Sequence, residues 1–285
     1  MIKLIASDMD GTLLNSNHTI SEGNVEAIKK AQQLGAKFAI VTGRTYDSVK
    51  PIADKFNLEC EYILMNGAEY RDKDGNILES IAMDKEKVKI IIEEIEKAGL
   101  CIQLFTNVGT LTSDYEKVRS SMVDKARELD PESSEDEIQA ILDEFIGRKK
   151  MTTFNSVNEL MDDKINIYKI ITFNKDVELI KSVKLKLREL SGLSVVSTFD
   201  DDIEVSDIRA QKGLILAKVI EKMGLEKDEV MPIGDSFNDY SMFTEFKHAC
   251  AMENGIPEIK ELAWFVTDTN DNDGVAKAIY KALNI

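Results

Sequence analysis

Apolar positions along this chain follow two rhythms, and the changes between them mark out its elements. Ile2 to Ser7 is a short, near-continuous apolar run, the pattern of a parallel strand buried on both faces. Ser21 can cap a helix in which Val25, Ile28 and Leu34 point inward and Gly35 is the stop. Lys37 to Val41 reads as a second strand. Tyr46, Val49, Ile52, Ala53 and Phe56 then recur at helical spacing, and Tyr62 to Met65 reads as a third strand. Strands alternating with helices predict right-handed crossovers and a parallel sheet. Ala68 to Ile81 reads as a hairpin around Lys73-Asp74-Gly75-Asn76.

Near Met83 the character changes. Val88, Ile91, Ile92 and Ile95 form a helical stripe closed by Gly99, and Cys101 to Ser113 has strand composition. Two charged helices follow. The second opens with the capping box Ser134-x-x-Glu137, carries Ile138, Ile141, Leu142 and Phe145 inward, and stops at Gly147. Ile165 to Phe173 is strand-like, Val177 to Leu190 helical, and Leu193 to Ser206 predicts two strands around Asp200-Asp201-Asp202. From Gln211 the first rhythm resumes. A helix holds Leu214, Ile215, Val219 and Met223. Val230 to Ile233 is a strand, and short strands follow at Ala249–Met252 and Trp264–Val266. The expected architecture is α/β: a Rossmann-like parallel-sheet core from 1–82 and 206–285, with an α/β unit inserted over 83–205. An inserted unit of this kind is expected to open and close, with hinges near Ala82–Asp84 and Val205–Ile208.

Composition narrows the function classes. The net charge of −16 over 285 residues argues against broad binding to nucleic acid or anionic membranes. No apolar run approaches the roughly 18 residues of a membrane span. Cys60, Cys101 and Cys250 are scattered, odd in number and without metal spacing, so they read as reduced thiols of a cytoplasmic protein. If the ligand is an anion, a local cation must overcome the chain's own field.

Candidate chemistry gathers at the predicted strand ends: Asp8 and Asp10, Thr42 and Gly43, Asn66 and Gly67, then Asp235, Asn238 and Asp239. In a parallel sheet these ends meet at one edge. Two carboxylates about 4 Å apart repel by roughly 4 kcal/mol at an effective dielectric of 20. A hard divalent cation among them relieves this, and a few oxygen ligands suit Mg²⁺. His18 and His248 are isolated, so no zinc site is expected. The Thr42 hydroxyl, the Gly43 N–H, a helix N-terminus and Lys212 suit a phosphate. A carboxylate nucleophile and a second carboxyl acting as acid and base then complete a phosphoryl-transfer site.

Asp8-Met9-Asp10-Gly11-Thr12, Thr42-Gly43-Arg44, Lys212-Gly213 and Gly234-Asp235-Ser236-x-Asn238-Asp239 occur in the order found in the haloacid dehalogenase-like hydrolases, which the chain resembles over nearly its whole length. Asn66-Gly67-Ala68, the large insertion and Ala251-Met252-x-Asn254 resemble the Cof-type subgroup with a C2-type (class IIB) cap. The resemblance implies that Asp8 is the nucleophile and a Mg²⁺ ligand. It implies that Asp10 is the general acid/base and gives the metal its backbone carbonyl, and that Asp235 is the third protein ligand. Gly11, Thr42, Gly43, Arg44, Lys212 and Asn238 would hold phosphate or substrate, and Asp239 would orient Lys212 or support the metal shell. Arg44 could equally pair with an acid, and Asn66 reads first as a turn residue.

The expected activity is Mg²⁺-dependent hydrolysis of small phosphorylated metabolites, sugar phosphates first. A phosphohexomutase and a non-catalytic metal or phosphate sensor are the alternatives. The Asp- and Asn-rich stretch Thr267–Gly274 lacks the glycine and closing glutamate of a calcium loop and reads as a turn. Glu132 to Glu137 and Asp200 to Asp202 read as solvated charge runs.

Overall fold

A computed structural model describes residues 1–129, 134–136, 138, 139, 151–197 and 200–284. It divides into two compact units, Met1–Ile81 with Arg209–Ile285, and Ala82–Ile208. In chain order the first unit opens with β1 (Leu4–Ser7), α1 (Glu22–Gln33), β2 (Lys37–Val41), α2 (Tyr46–Lys55), β3 (Glu61–Leu64), β4 (Glu69–Arg71) and β5 (Ile77–Ser80). The second holds α3 (Lys85–Lys97), β6 (Gln103–Thr106), β7 (Gly109–Thr112), α4 (Tyr115–Leu129), β8 (Thr152–Thr153), β9 (Ile167–Phe173), α5 (Val177–Arg188), β10 (Leu193–Val196) and β11 (Asp202–Asp207). The first unit then resumes with α6 (Lys212–Lys222), β12 (Val230–Gly234), α7 (Tyr240–Glu245), β13 (Cys250–Ala251), α8 (Pro257–Leu262), β14 (Phe265–Val266) and α9 (Gly274–Leu283).

The first unit is one sheet in the order β14-β13-β12-β1-β2-β3-β4-β5. Its pairs are parallel from β14 through β3, and β4 and β5 add antiparallel strands at one edge. This is the α/β parallel-sheet core that the apolar runs predict. All of β1 and β12 is buried, as two covered faces require. The register Leu4↔Lys37 and Leu4↔Val230 aligns three strands. Their carboxyl ends therefore release Asp8, Thr42 and Asp235 side by side, about 4.8 Å per strand apart. Chain order reverses between β1 and β12, so this edge is also the topological switch point where such sheets bind ligands.

The inserted unit has its own sheet, β10-β11-β9-β6-β7-β8, antiparallel except where β8 joins β7. Val88, Ile91, Ile92 and Ile95 from α3, with Ile180, Val183 and Leu187 from α5, pack with sheet residues into a separate core. The stretch 101–113, of strand composition, is a hairpin of β6 and β7 turned at Asn107-Val108. Ser206 and Asp207, which the sequence reading gives to the first unit, continue β11 in register with β10. The second expected hinge is thus mostly a paired strand. Asp202 departs from the solvated run expected at 200–202, because it opens β11 and is buried opposite Phe173. Most of the predicted helix after Ser134, with Ile141, Leu142, Phe145 and Gly147, lies outside the described residues, as does part of the 132–137 charge run.

Cys60, Cys101 and Cys250 are free and buried. No described helix is long and apolar enough to cross a membrane.

One packing detail fixes the start of α6. A Cβ on Gly213 would lie 2.1 Å from the Ser241 carbonyl oxygen, and the Gly213 N–H donates to the Ser241 hydroxyl at 2.9 Å. Backbone meets backbone there, with no flexible side chain to yield. Gly213→Ala is expected to lower unfolding stability by about 2 kcal/mol through overpacking. Denaturant unfolding measures this, and an unchanged midpoint would contradict it.

Candidate active site

Lys212 is the centre of the site. It is fully buried, and its Nζ donates to Asp8 Oδ1 at 2.7 Å and to Asp239 Oδ1 at 2.6 Å. Asp8 follows β1, anchored by its N–H to the Ile233 carbonyl at 2.9 Å. Asp239 sits on the turn after β12, where its Oδ2 accepts the N–H groups of Asp235 (2.9 Å) and Ser236 (3.1 Å). One carboxylate therefore ties the ammonium to the backbone of the Asp235 loop. Asp239 points at Lys212 through one oxygen and at main chain through the other.

Asp8, Asp235 and Asp239 offer oxygens within 4.8 Å of one another. The metal set that the resemblance implies is Asp8, the backbone carbonyl of Asp10, and Asp235, which leaves the Asp10 side chain for other work. In the structure the Asp10 side chain faces Arg44, which donates from Nε to Oδ2 at 2.8 Å and from Nη2 to Oδ1. Of the two uses foreseen for Arg44, pairing with an acid is the one present. Gly11 turns the chain here with φ +76, and a Cβ on it would meet Asp235 Oδ2 at 2.5 Å. Only glycine lets the loop after β1 approach the Asp235 carboxylate this closely.

Thr42 is buried at the end of β2, and its Oγ1 accepts the Arg44 N–H at 3.2 Å. Gly43 occupies the same loop, and Thr45 precedes α2 as its N-cap. Asn238 is buried on the Asp235 loop, and its Oδ1 accepts the Ser236 hydroxyl at 2.7 Å. Two residues of the motifs, Thr12 and Asn254, carried no assigned role in the sequence. Thr12 donates its hydroxyl to Asp235 Oδ1 at 2.6 Å, and Asn254 donates to the Gly11 carbonyl at 2.7 Å. Thr12 stands inside the Asp8–Thr12 motif, so its position was a usable signal. Asn254 had no signal of its own role, because its partner lies 243 residues away.

Charge balance at the site leans acidic. Four carboxylates (Asp8, Asp10, Asp235, Asp239) face two cations, Lys212 and Arg44. Burial raises the Asp8 carboxyl well above its ordinary range, Asp239 adds to this, and Lys212 only partly offsets it. Burial and Asp239 likewise push Asp235 up to about 7, against the hydrogen bond from Thr12. Asp10 moves the other way: burial would raise it, but the hydrogen bond and charge of Arg44 prevail and lower it. Lys212 is raised, since Asp239 and Asp8 outweigh the lowering effect of burial. Two acids held above their usual range by burial first, and by the neighbouring Asp239 carboxylate second, are the donor set a hard divalent cation fits.

The family model for haloacid dehalogenase-like hydrolases matches residues 5–279. The Bacillus subtilis 5-amino-6-(5-phospho-D-ribitylamino)uracil phosphatase YwtE is 34% identical over 287 residues, covering 99% of each chain. A second Bacillus subtilis phosphatase named for the same compound, YcsE, is 31% identical and covers 98% of this chain and 94% of its own. A solved haloacid dehalogenase-like hydrolase from Bacillus subtilis superposes with a TM-score of 0.86 at 29% identity, covering 98% of this chain and 99% of that one.

The raised acids carry a pH consequence. In the cation-free fold Asp235 binds a proton between about pH 4 and about pH 7 that the unfolded chain releases, so stability falls as pH rises through that window. Melting in EDTA is expected at a lower temperature near pH 7.5 than near pH 5, with much of the difference lost in Asp235→Asn. A higher melting temperature at the upper pH would contradict this. Motif order, full-length similarity and a carboxylate-lined sheet edge agree: the chain belongs to the haloacid dehalogenase-like hydrolases, in their Cof-type subgroup, and is a phosphatase.

Proposed function

We propose that this phosphatase hydrolyses small phosphorylated metabolites, sugar and sugar-alcohol phosphates first, with Mg²⁺ and through an aspartyl-phosphate on Asp8. The observation that carries the reading is the meeting of Asp8 with Asp235 and Asp239, from opposite ends of the chain, with the buried Lys212 bonded to Asp8 and Asp239. Asp8, the backbone carbonyl of Asp10 and Asp235 would hold the ion. When bound, it neutralises the excess carboxylate charge and screens the phosphoryl oxygens from Asp8.

In the first step an Asp8 carboxylate oxygen attacks phosphorus while the bond to the leaving oxygen breaks, and Asp10 donates its proton to that oxygen. In the second, Asp10 takes a proton from water, the water oxygen attacks phosphorus, and the bond to Asp8 breaks. Lys212, the Thr42 hydroxyl and the Gly43 N–H hold the phosphoryl oxygens, with Gly11 giving the loop its close approach. Asn238 contacts phosphate or substrate. Asp239 acts through Lys212, which it aims. Arg44 keeps Asp10 ionised in the observed state, so the proton-donating step requires Arg44 to let go and take a substrate anion instead.

The two Bacillus subtilis phosphatases support a phosphorylated ribityl chain as the first compound to try. A phosphate-release screen over that compound, hexose phosphates, pyridoxal phosphate and flavin mononucleotide tests the substrate class. No observation favours the phosphohexomutase or sensor readings, and free phosphate release in the screen counts against both.

Asp8→Asn is expected to abolish phosphate release, and substantial remaining turnover would refute the nucleophile assignment. Asp10→Asn should slow turnover by about 10²- to 10⁴-fold, the range of a single acid–base group. Adding EDTA to the parent chain should stop release and MgCl₂ should restore it. Full activity in EDTA would remove the ion from the reading.

A further inference from the structure

Three consecutive residues of the first unit have left-handed backbone: Met65 (φ 50), Asn66 (φ 58) and Gly67 (φ 100). Left-handed backbone is open to glycine, tolerated by asparagine and strained for a bulky residue such as methionine. Non-glycine residues in this region cost about 1–3 kcal/mol each and persist only where the surroundings enforce them. Met65 and Asn66 are both buried, so the strain is not relieved by exposure.

The surroundings that enforce the turn are the phosphate-holding segments. The Asn66 N–H donates to the Thr42 carbonyl at 3.0 Å, and the Met65 N–H donates to the Arg44 carbonyl at 3.0 Å. These two bonds flank Gly43. The Thr42 carbonyl and the Gly43 N–H belong to one planar trans peptide, so fixing the carbonyl fixes the direction of the N–H. The third residue reaches the other side of the site. A Cβ on Gly67 would lie 2.9 Å from both the carbonyl carbon and the carbonyl oxygen of Gln211, the residue before Lys212. The same turn therefore holds the loop after β2 and abuts the backbone that presents the lysine.

We propose that the left-handed turn Met65–Asn66–Gly67 is a positioning device for the phosphate site, aiming the Thr42–Gly43 peptide and seating the start of α6. It acts through the backbone of Thr42, Arg44 and Gln211, as a positioning element and not as a catalytic one. Reversing the chain between β3 and β4 does not by itself require these bonds, since shorter two-residue turns join antiparallel strands. The inference rests on the phosphatase reading for its ligand, and phosphate binding tests it without turnover.

The experiment is a ³¹P NMR titration of the full chain with inorganic phosphate in MgCl₂, alongside thermal melting. Asn66→Ala, which disfavours the left-handed backbone, is expected to weaken phosphate binding by about fivefold to tenfold. Gly67→Ala should weaken it at least as much. Asn66→Gly restores the backbone geometry and is expected to bind within about threefold of the parent. Variants that melt lower yet bind phosphate with the parent's affinity would reduce the turn to a structural element and overturn the proposal. If Gly67→Ala does not fold, the Asn66 pair decides alone. A parent chain that binds phosphate without hydrolysing any ester refutes the phosphatase reading while the turn is still tested. A parent that does not bind phosphate overturns both.

Discussion

The buried ammonium of Lys212 is the interaction on which this molecule turns. A lysine removed from water costs several kcal/mol unless carboxylates replace its hydration. Here Asp8 and Asp239 do so, one from the first strand and one from the turn after β12. Neither end of the chain can satisfy the lysine alone. The contact that closes the first unit across some 200 residues is therefore also the one that gathers the carboxylates of the candidate site. A substitution that removes one partner leaves a charge stranded, so fold and site are vulnerable at the same atoms.

That crowding is made possible by backbone rather than by side chains. Gly11 lies against the Asp235 carboxylate, Gly234 against Asp239, and Gly213 against the Ser241 carbonyl. At each of these a side chain would occupy the space that a carboxylate or peptide already fills. The glycines let loops and a helix converge on a volume small enough for one ammonium and three carboxylates to share. Burial of the converged carboxylates, with the charge of Asp239 added to it, raises the acids Asp8 and Asp235, and a divalent cation would relieve this.

The loop after β1 is also braced at its far end. Asn254 and Asn270 bond the Gly11 and Leu14 carbonyls, Asp271 takes the N–H and hydroxyl of Ser16, and Asp273 takes the hydroxyl of Ser21. The acid- and amide-rich stretch 267–274 is a turn, as its spacing suggests, but one whose polar groups tie the C-terminal segment to the segment carrying Asp10 to Thr12. Each of these residues is local in sequence to a turn and remote in sequence from its partner.

The order of residues was enough to establish the parallel sheet, its strand ends and the candidate reactive groups. Buried parallel strands require continuous apolar runs, and such runs deliver the residues after them to one edge. The family was legible too, because several short motifs in one order seldom arise by accident. The resemblance implied Asp239 beside Lys212 and left an acid as one of two partners for Arg44, but the full set of pairings emerged only from the folded chain. Arg44 lies on Asp10, Asp239 on Lys212 and two backbone amides, Thr12 on Asp235, and the left-handed Met65–Gly67 turn against both Thr42 and Gln211. Periodicity reports which face of an element is buried. It carries no information about which residues of different elements become partners, whose pairing is set by strand order, close backbone approach and the need of every buried charge for a counter-charge.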